Sequence, residues 1–362
     1  MTPTPPQQVD LAAIEAELQA LWHSLRADAG DSGVVRTALF NWILVAPPDP
    51  AATAAMVSEV TSELPCRVLV VEIAPAVTVA PASATIGTFC RVGTGAHQQV
   101  CCEQVTLRAP ASELEALAST LLALLLPDLP TVLYWPHHPQ LAGGFVSHLA
   151  TSLDRLVVDS ATLGAGDAGL AQLRAWSLER CTVSDLAWER LDAWRELVAA
   201  IFDGAPCRER LAELRGCDVT YEPGGRHAAL LAAGWLGSRL GWHPVRRQDD
   251  VWSLATSSGR LRLRVLEAAA GTPRAAAAPS LARIALDDGA GTTFVVEPDP
   301  QYPTLLAGRI ERAGACPLPQ RMPRTTARNG SELQAALGGP ARNLAFEQAL
   351  AAAAALGEMP AA

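Results

Sequence analysis

Apolar positions Leu11, Ile14, Leu18, Leu21, Trp22 and Leu25 recur at three- and four-residue spacing, which predicts an amphipathic helix ending near Gly30. Short apolar runs then alternate with helical stretches. Residues 38–45 (ALFNWILV) read as a strand and 50–63 as a helix. Residues 67–73 (RVLVVEI) form a continuous apolar run, the pattern of a strand covered on both faces. Residues 85–92 and 99–108 predict an antiparallel hairpin about a turn at 93–97. A helix over 111–126 stops at Pro127, and strands at 131–135 and 155–159 alternate with helices at 141–151 and 170–177. This alternation predicts an α/β domain, its sheet mixed but mostly parallel and its helices on both faces.

The pattern changes near Asp185. Residues 186–202 form a helix with Trp188, Leu191, Trp194, Leu197, Val198 and Ile201 on one face. A short strand at 219–221 and a helix over 226–240 follow. Strands at 251–255, 261–266, 282–286, 293–296 and 305–312 then precede a terminal helix over 343–356. Helices first and a strand run later predict an α+β domain with an antiparallel sheet. The 362 residues thus divide into a tail and helix (1–30), an α/β domain (31–184) and an α+β domain (185–362). Residues 268–279 read as a long hairpin loop and 314–340 as a surface excursion.

Composition narrows the function classes. Hydrophobic residues make up 49% and charged residues 18%, which suits buried cores rather than disorder. A net charge of −9 with no basic run argues against a nucleic-acid partner. All 28 cations are arginine, which removes every mechanism that needs a lysine, from the P-loop to a Schiff base. The most apolar window, 114–126, is too short to span a bilayer, and the first ten residues lack a signal-like core. Eight cysteines without a Cys-x-x-Cys pattern predict a reduced, cytoplasmic protein with no membrane association.

Individual motifs carry little chemistry. Gly164-Ala-Gly166-Asp-Ala-Gly169 lies between a strand and a helix, with Asp185 following at dinucleotide-fingerprint distance. It offers the alternative of a nucleotide-binding enzyme, although five residues separate it from the strand. His137 and His138 form an adjacent pair between prolines, with no third ligand at metal spacing. Asp249-Asp250 and Asp287-Asp288 fall at predicted turns. No catalytic, cofactor or metal site is therefore expected. Cys101 and Cys102 should face opposite sides of one strand, as two buried hydrophobes or as one buried and one redox-active thiol. Trp194 and Arg195 are the candidate partner-binding residues, because Trp and Arg are enriched at interface hot spots.

Several segments together resemble one family. They are residues 35–45 (VRTALFNWILV), 65–71 (PCRVLVV), 100–107 (VCCEQVTL), 125–135 (LLPDLPTVLYW), 154–160 (DRLVVDS), 185–203 (DLAWERLDAWRELVAAIFD) and 232–242 (AAGWLGSRLGW). In this order they are similar to the OpcA family of glucose-6-phosphate dehydrogenase assembly proteins. The resemblance implies a non-catalytic regulator, without a cofactor, that binds glucose-6-phosphate dehydrogenase and promotes its active oligomer in the oxidative pentose phosphate pathway. The Gly164–Gly169 loop lies outside the resembling segments, and the alanine runs at 275–278 and 351–355 read as compositional drift.

Overall fold

The apolar runs Asn41–Val45 and Thr131–Trp135 are buried along their whole length, which a strand achieves only between two layers of helices. The computed structural model describes residues 2–3, 6–29, 33–47, 49–74, 82–92, 99–136, 144–164, 166–269, 280–312, 319–324, 331–340 and 342–360. The turn at 93–97, the His137–His138 pair and most of the 268–279 loop lie outside them. The chain divides into two compact units: residues 1–158, 179–183 and 329–341, and residues 159–178, 184–328 and 342–362.

In the first unit, β1 (Thr2–Pro3), β2 (Gln7–Val9) and α1 (Ile14–Ala29) precede β3 (Val34–Arg36) and β4 (Asn41–Val45). There follow α2 (Pro50–Glu63), β5 (Arg67–Ala74), the antiparallel hairpin β6 (Ser83–Val92) and β7 (Gln99–Pro110), then α3 (Leu114–Ala123). The chain continues through β8 (Thr131–Trp135), α4 (Gly144–Leu149) and β9 (Arg155–Val158), enters the second unit for α5 (Ala168–Glu179), and returns to add β10 (Thr182–Asp185) beside β9. The sheet order is β1-β6-β7-β5-β4-β8-β9-β10, with β2 on β6 and β3 on β7. The β4/β5, β5/β7, β4/β8 and β8/β9 pairs are parallel, as is β3/β7. This is the expected mixed, mostly parallel α/β sheet. Short β3 was not legible, because three half-exposed residues carry no periodic signal.

In the second unit the Trp-rich stretch is two helices, α6 (Leu186–Arg190) and α7 (Asp192–Ile201), joined at Leu191. After a short α8 (Ala205–Arg208) come β11 (Gly216–Tyr221) and α9 (Arg226–Leu240). Strands β12 (His243–Gln248), β13 (Val251–Thr256), β14 (Gly259–Glu267), β15 (Leu281–Asp287), β16 (Thr292–Pro298), β17 (Leu305–Arg312) and β18 (Gln320–Pro323) complete a sheet of order β12-β13-β14-β11-β15-β16-β17-β18. Only β11/β14 is parallel among its pairs. The excursion expected at 314–340 holds β18 and, in the first unit, α10 (Ser331–Gly338), whose Gln334 donates to the Glu59 carbonyl of α2. The chain ends in α11 (Leu344–Glu358), packed on α9. Here the alanines have a packing role. Ala349 and Ala353 are fully buried, and a Cβ on Gly234 would run into the Ala349 carbonyl, so small residues permit the close helix approach.

A buried charge cluster ties the first unit together. Glu103 of β7 accepts from Arg67 Nε of β5 at 2.5 Å, from Trp22 Nε1 of α1 at 2.7 Å and from Arg36 of β3 at 2.7 Å. Arg67 also donates to Glu15 of α1 and to the Leu124 carbonyl at the end of α3. Burial alone would raise the Glu103 carboxyl; the Arg67 charge and the three donors overcome it and hold the group below its usual range. A carboxyl lowered in the folded state stabilises the fold above its unfolded titration range and loses that contribution as pH falls through the folded value. Glu103→Gln is therefore expected to cost about 3 kcal/mol at pH 7 and to flatten the acid limb below about pH 4. Chemical denaturation across pH checks both effects.

Candidate functional site

Taken in chain order, β4, β5, β7, β8, β9 and β10 lie in the sheet as 3-2-1-4-5-6, the order of a doubly wound dinucleotide-binding sheet. Such sheets bind the pyrophosphate at the turn after their first strand, on glycines and free amides of the next helix. In this chain that turn reads Ala46-Pro47-Pro48-Asp49-Pro50. Pro50 at the helix start has no N–H, and Asp49 accepts the Ala51 amide at 2.9 Å. The Thr53 amide is bound to the Asp49 carbonyl. The anion position is occupied by the chain's own carboxylate, which would repel a phosphate.

The glycine loop after β9, on which the nucleotide-binding alternative rests, is also engaged internally. His227 of α9 sits 2.7 Å from the Ser160 carbonyl through Nδ1 and 2.9 Å from the Gly166 carbonyl through Nε2. Asp167 is held by Arg226 at 2.7 Å and Arg247 at 3.1 Å. Asp185, at the ribose-binding distance in sequence, is fully buried and caps α6 through the Ala187 amide while accepting from the Ser160 amide. Its Oδ2 is buried without a hydrogen-bond partner. Burial, with the neighbouring Asp159 charge, pushes its carboxyl up to about 6. The loop and this carboxyl are a clasp within the second unit.

The paired aspartates are turn residues. Asp288 accepts the Ala290 and Thr292 amides and pairs with Arg210 at 2.7 Å, while Asp250 pairs with Arg226 at 2.9 Å. Among the described residues, no group of three His, Cys, Asp or Glu side chains could hold a metal. No helix among them is long and apolar enough to cross a membrane.

Of the two residues expected at a partner surface, Trp194 is 1% exposed in the core, out of reach of another molecule. Arg195 lies over the Trp188 ring, 3.7 Å from its centroid, and donates to the Trp188 carbonyl and to Asp192. Its guanidinium is bound inside the chain.

The strand places Cys101 and Cys102 on opposite faces as expected, but both are buried, because helices cover both faces of β7 there. Cys101 shares a face with Glu103 and is bonded to Cys90, directly opposite in the hairpin with Cα atoms 4.1 Å apart. This corrects the reading of Cys101 as a free thiol and the expectation that the cysteines are all reduced. The signal was present: a hairpin closing on Val92 and Gln99 puts residue 90 across from 101. Cys102 donates weakly to the Phe89 carbonyl, and burial raises its thiol, with Cys66 and Thr61 beside it.

The first unit is thus a doubly wound α/β sheet of 3-2-1-4-5-6 order, and the second an α+β unit. Two family models match the chain, the glucose-6-phosphate dehydrogenase subunit N-terminal domain over residues 57–175 and the corresponding C-terminal domain over 181–350. The chain belongs to the OpcA family. A relative from Synechococcus elongatus, provisionally named an OxPP cycle protein OpcA, is 35% identical over 189 residues, 51% of this chain and 42% of the relative. One of the same name from Synechocystis is 32% identical over 163 residues, 45% of this chain and 34% of the relative. The matches thus span less than half the length of these relatives. Solved oxidoreductases from Bacillus subtilis and Bacteroides fragilis align with TM-scores of 0.44 and 0.42 at 10% and 11% identity. They cover 88% of this chain and 94% and 97% of theirs; at these scores the likeness bears on neither activity nor ligand.

Two outcomes follow from this geometry. Alkylation of the native protein is expected to label neither Cys101 nor Cys102, and a non-reduced digest to contain the Cys90 and Cys101 peptides linked; mass spectrometry reads both. Asp185→Asn tests the buried carboxyl. The folded state holds a proton there more tightly than the unfolded chain, so the wild type loses stability as pH rises from about 4 to 6. The asparagine variant should lack that slope and melt no lower than wild type at pH 7, with calorimetry at several pH values as the check.

Proposed function

We propose that the chain is a non-catalytic partner of glucose-6-phosphate dehydrogenase that binds the enzyme and favours its active oligomer. The observation that carries this reading is the self-capped β4–α2 turn: a dehydrogenase-like sheet has exchanged its phosphate cradle for prolines and an aspartate. Family membership supplies the partner, since both matching models are named for a subunit of that dehydrogenase. The site of action is then the cytoplasm, where the pentose phosphate reactions take place.

The physical mechanism is linkage. A protein that binds the active oligomer more tightly than the inactive form shifts the population by the ratio of the two affinities, tenfold for each 1.4 kcal/mol or so.

Mixing the chain with the dehydrogenase tests the reading. The chain alone should reduce no nicotinamide cofactor. In excess it should lower the half-saturating glucose 6-phosphate concentration of the enzyme and raise its mass in light scattering. Unchanged kinetics and mass at saturating excess would overturn the proposal.

A further inference from the structure

One face of the first sheet bears a cavity of about 510 Å³, within the range of small-ligand sites, between β5, β6, β7 and the first turns of α2. The sheet order gives one of its walls a meaning. β5 is the second strand of the 3-2-1-4-5-6 order, and in sheets of this class a carboxylate at the end of that strand takes the ribose hydroxyls of a bound nucleotide. Glu72 stands there, one residue past Val71, which pairs with Val45 at the end of β4. It lines the cavity, and so does Pro50 at the start of α2. The carboxylate position is thus kept beside a turn whose anion position Asp49 and Pro50 have closed.

The remaining walls suit the rest of a nucleoside. Val70, Phe89, Ala54 and Pro50 supply aliphatic and aromatic surface for a flat base. Thr106 on the floor accepts from Gln104 Nε2 at 2.9 Å, which leaves its own hydroxyl proton to donate, and a purine presents ring nitrogens that accept. Arg108 stands opposite Glu72 in the β5/β7 ladder, so the rim carries one charge of each sign. A phosphate and a free cation each meet one attraction and one repulsion there, and neither gains. Two neighbouring ribose hydroxyls donate to the carboxylate without bringing a charge of their own. We propose that this cavity binds a purine ribonucleoside, its 2′ and 3′ hydroxyls on Glu72 and its base between Phe89 and the start of α2. The inference is independent of the partnership with the dehydrogenase, and its test needs no second protein.

Titration calorimetry of the full chain with adenosine and with inosine reads the outcome directly, with free ribose, the 2′-deoxynucleosides and the 5′-monophosphates for comparison. At least one ribonucleoside should bind saturably. Free ribose and the 2′-deoxy form of that nucleoside should bind at least about tenfold more weakly, and its 5′-monophosphate no more tightly. Glu72→Gln should weaken the ribonucleoside more than about tenfold and abolish its advantage over the 2′-deoxy form, with an unchanged melting temperature. Ala54→Trp, at an exposed position of α2 on the cavity wall, should block binding without touching the carboxylate. No binding of either ribonucleoside up to about 10 mM would overturn the proposal. Equal binding of ribose or of the 2′-deoxy form, tighter binding of the monophosphate, or indifference to either substitution would overturn it as well.

Discussion

The Arg67–Glu103 pair is the constraint on which the first unit depends. Two charges almost wholly removed from water are tolerable only if each finds its opposite and its remaining donors or lone pairs are used. That requirement is met by groups from α1, β3, β5, β7 and the end of α3 at once. A register slip of one residue between β5 and β7 would send either charge to the opposite face, so the pair specifies the alignment of the central strands. It also docks α1, whose Trp22 and Glu15 complete the cluster.

With the central strands aligned, the ends of β4 and β5 and the start of α2 have little freedom. In a sheet of this order that end is where anions bind. Asp49 and Pro50 close it by chemistry alone: one supplies a carboxylate for the Ala51 amide, the other removes an amide. The second unit uses its charges differently. The Asp167–Arg226–Arg247 group and the His227 contacts hold the glycine loop against α9, which makes a flexible-looking segment part of a packed unit.

Periodicity and alternation were sufficient for the fold class. The buried runs of β4, β5, β8 and β9 and the Trp face of α6 and α7 were all legible, because each is a local pattern set by burial. The hairpin of β6 and β7 was legible as well, and with it the facing of Cys101 and Cys102. Edge strands β3 and β12 were not, since exposed strands need no apolar alternation.

The candidate site was harder to read, and the reason is common to each case. Trp194 and Arg195 have the composition of an interface, yet whether a tryptophan faces solvent depends on what packs over its helix. Gly164–Gly169 has the spacing of a phosphate loop, yet its Gly166 carbonyl is engaged by a histidine 61 residues later. Cys90 and Cys101 meet only because a particular register closes the hairpin. The sequence by itself determined the type of the buried elements and the lack of lysine chemistry, because these follow from side-chain identity and local spacing. Only the tertiary structure decided which charges are paired, which thiols are covered and where a cavity remains, because these depend on partners brought together from distant parts of the chain.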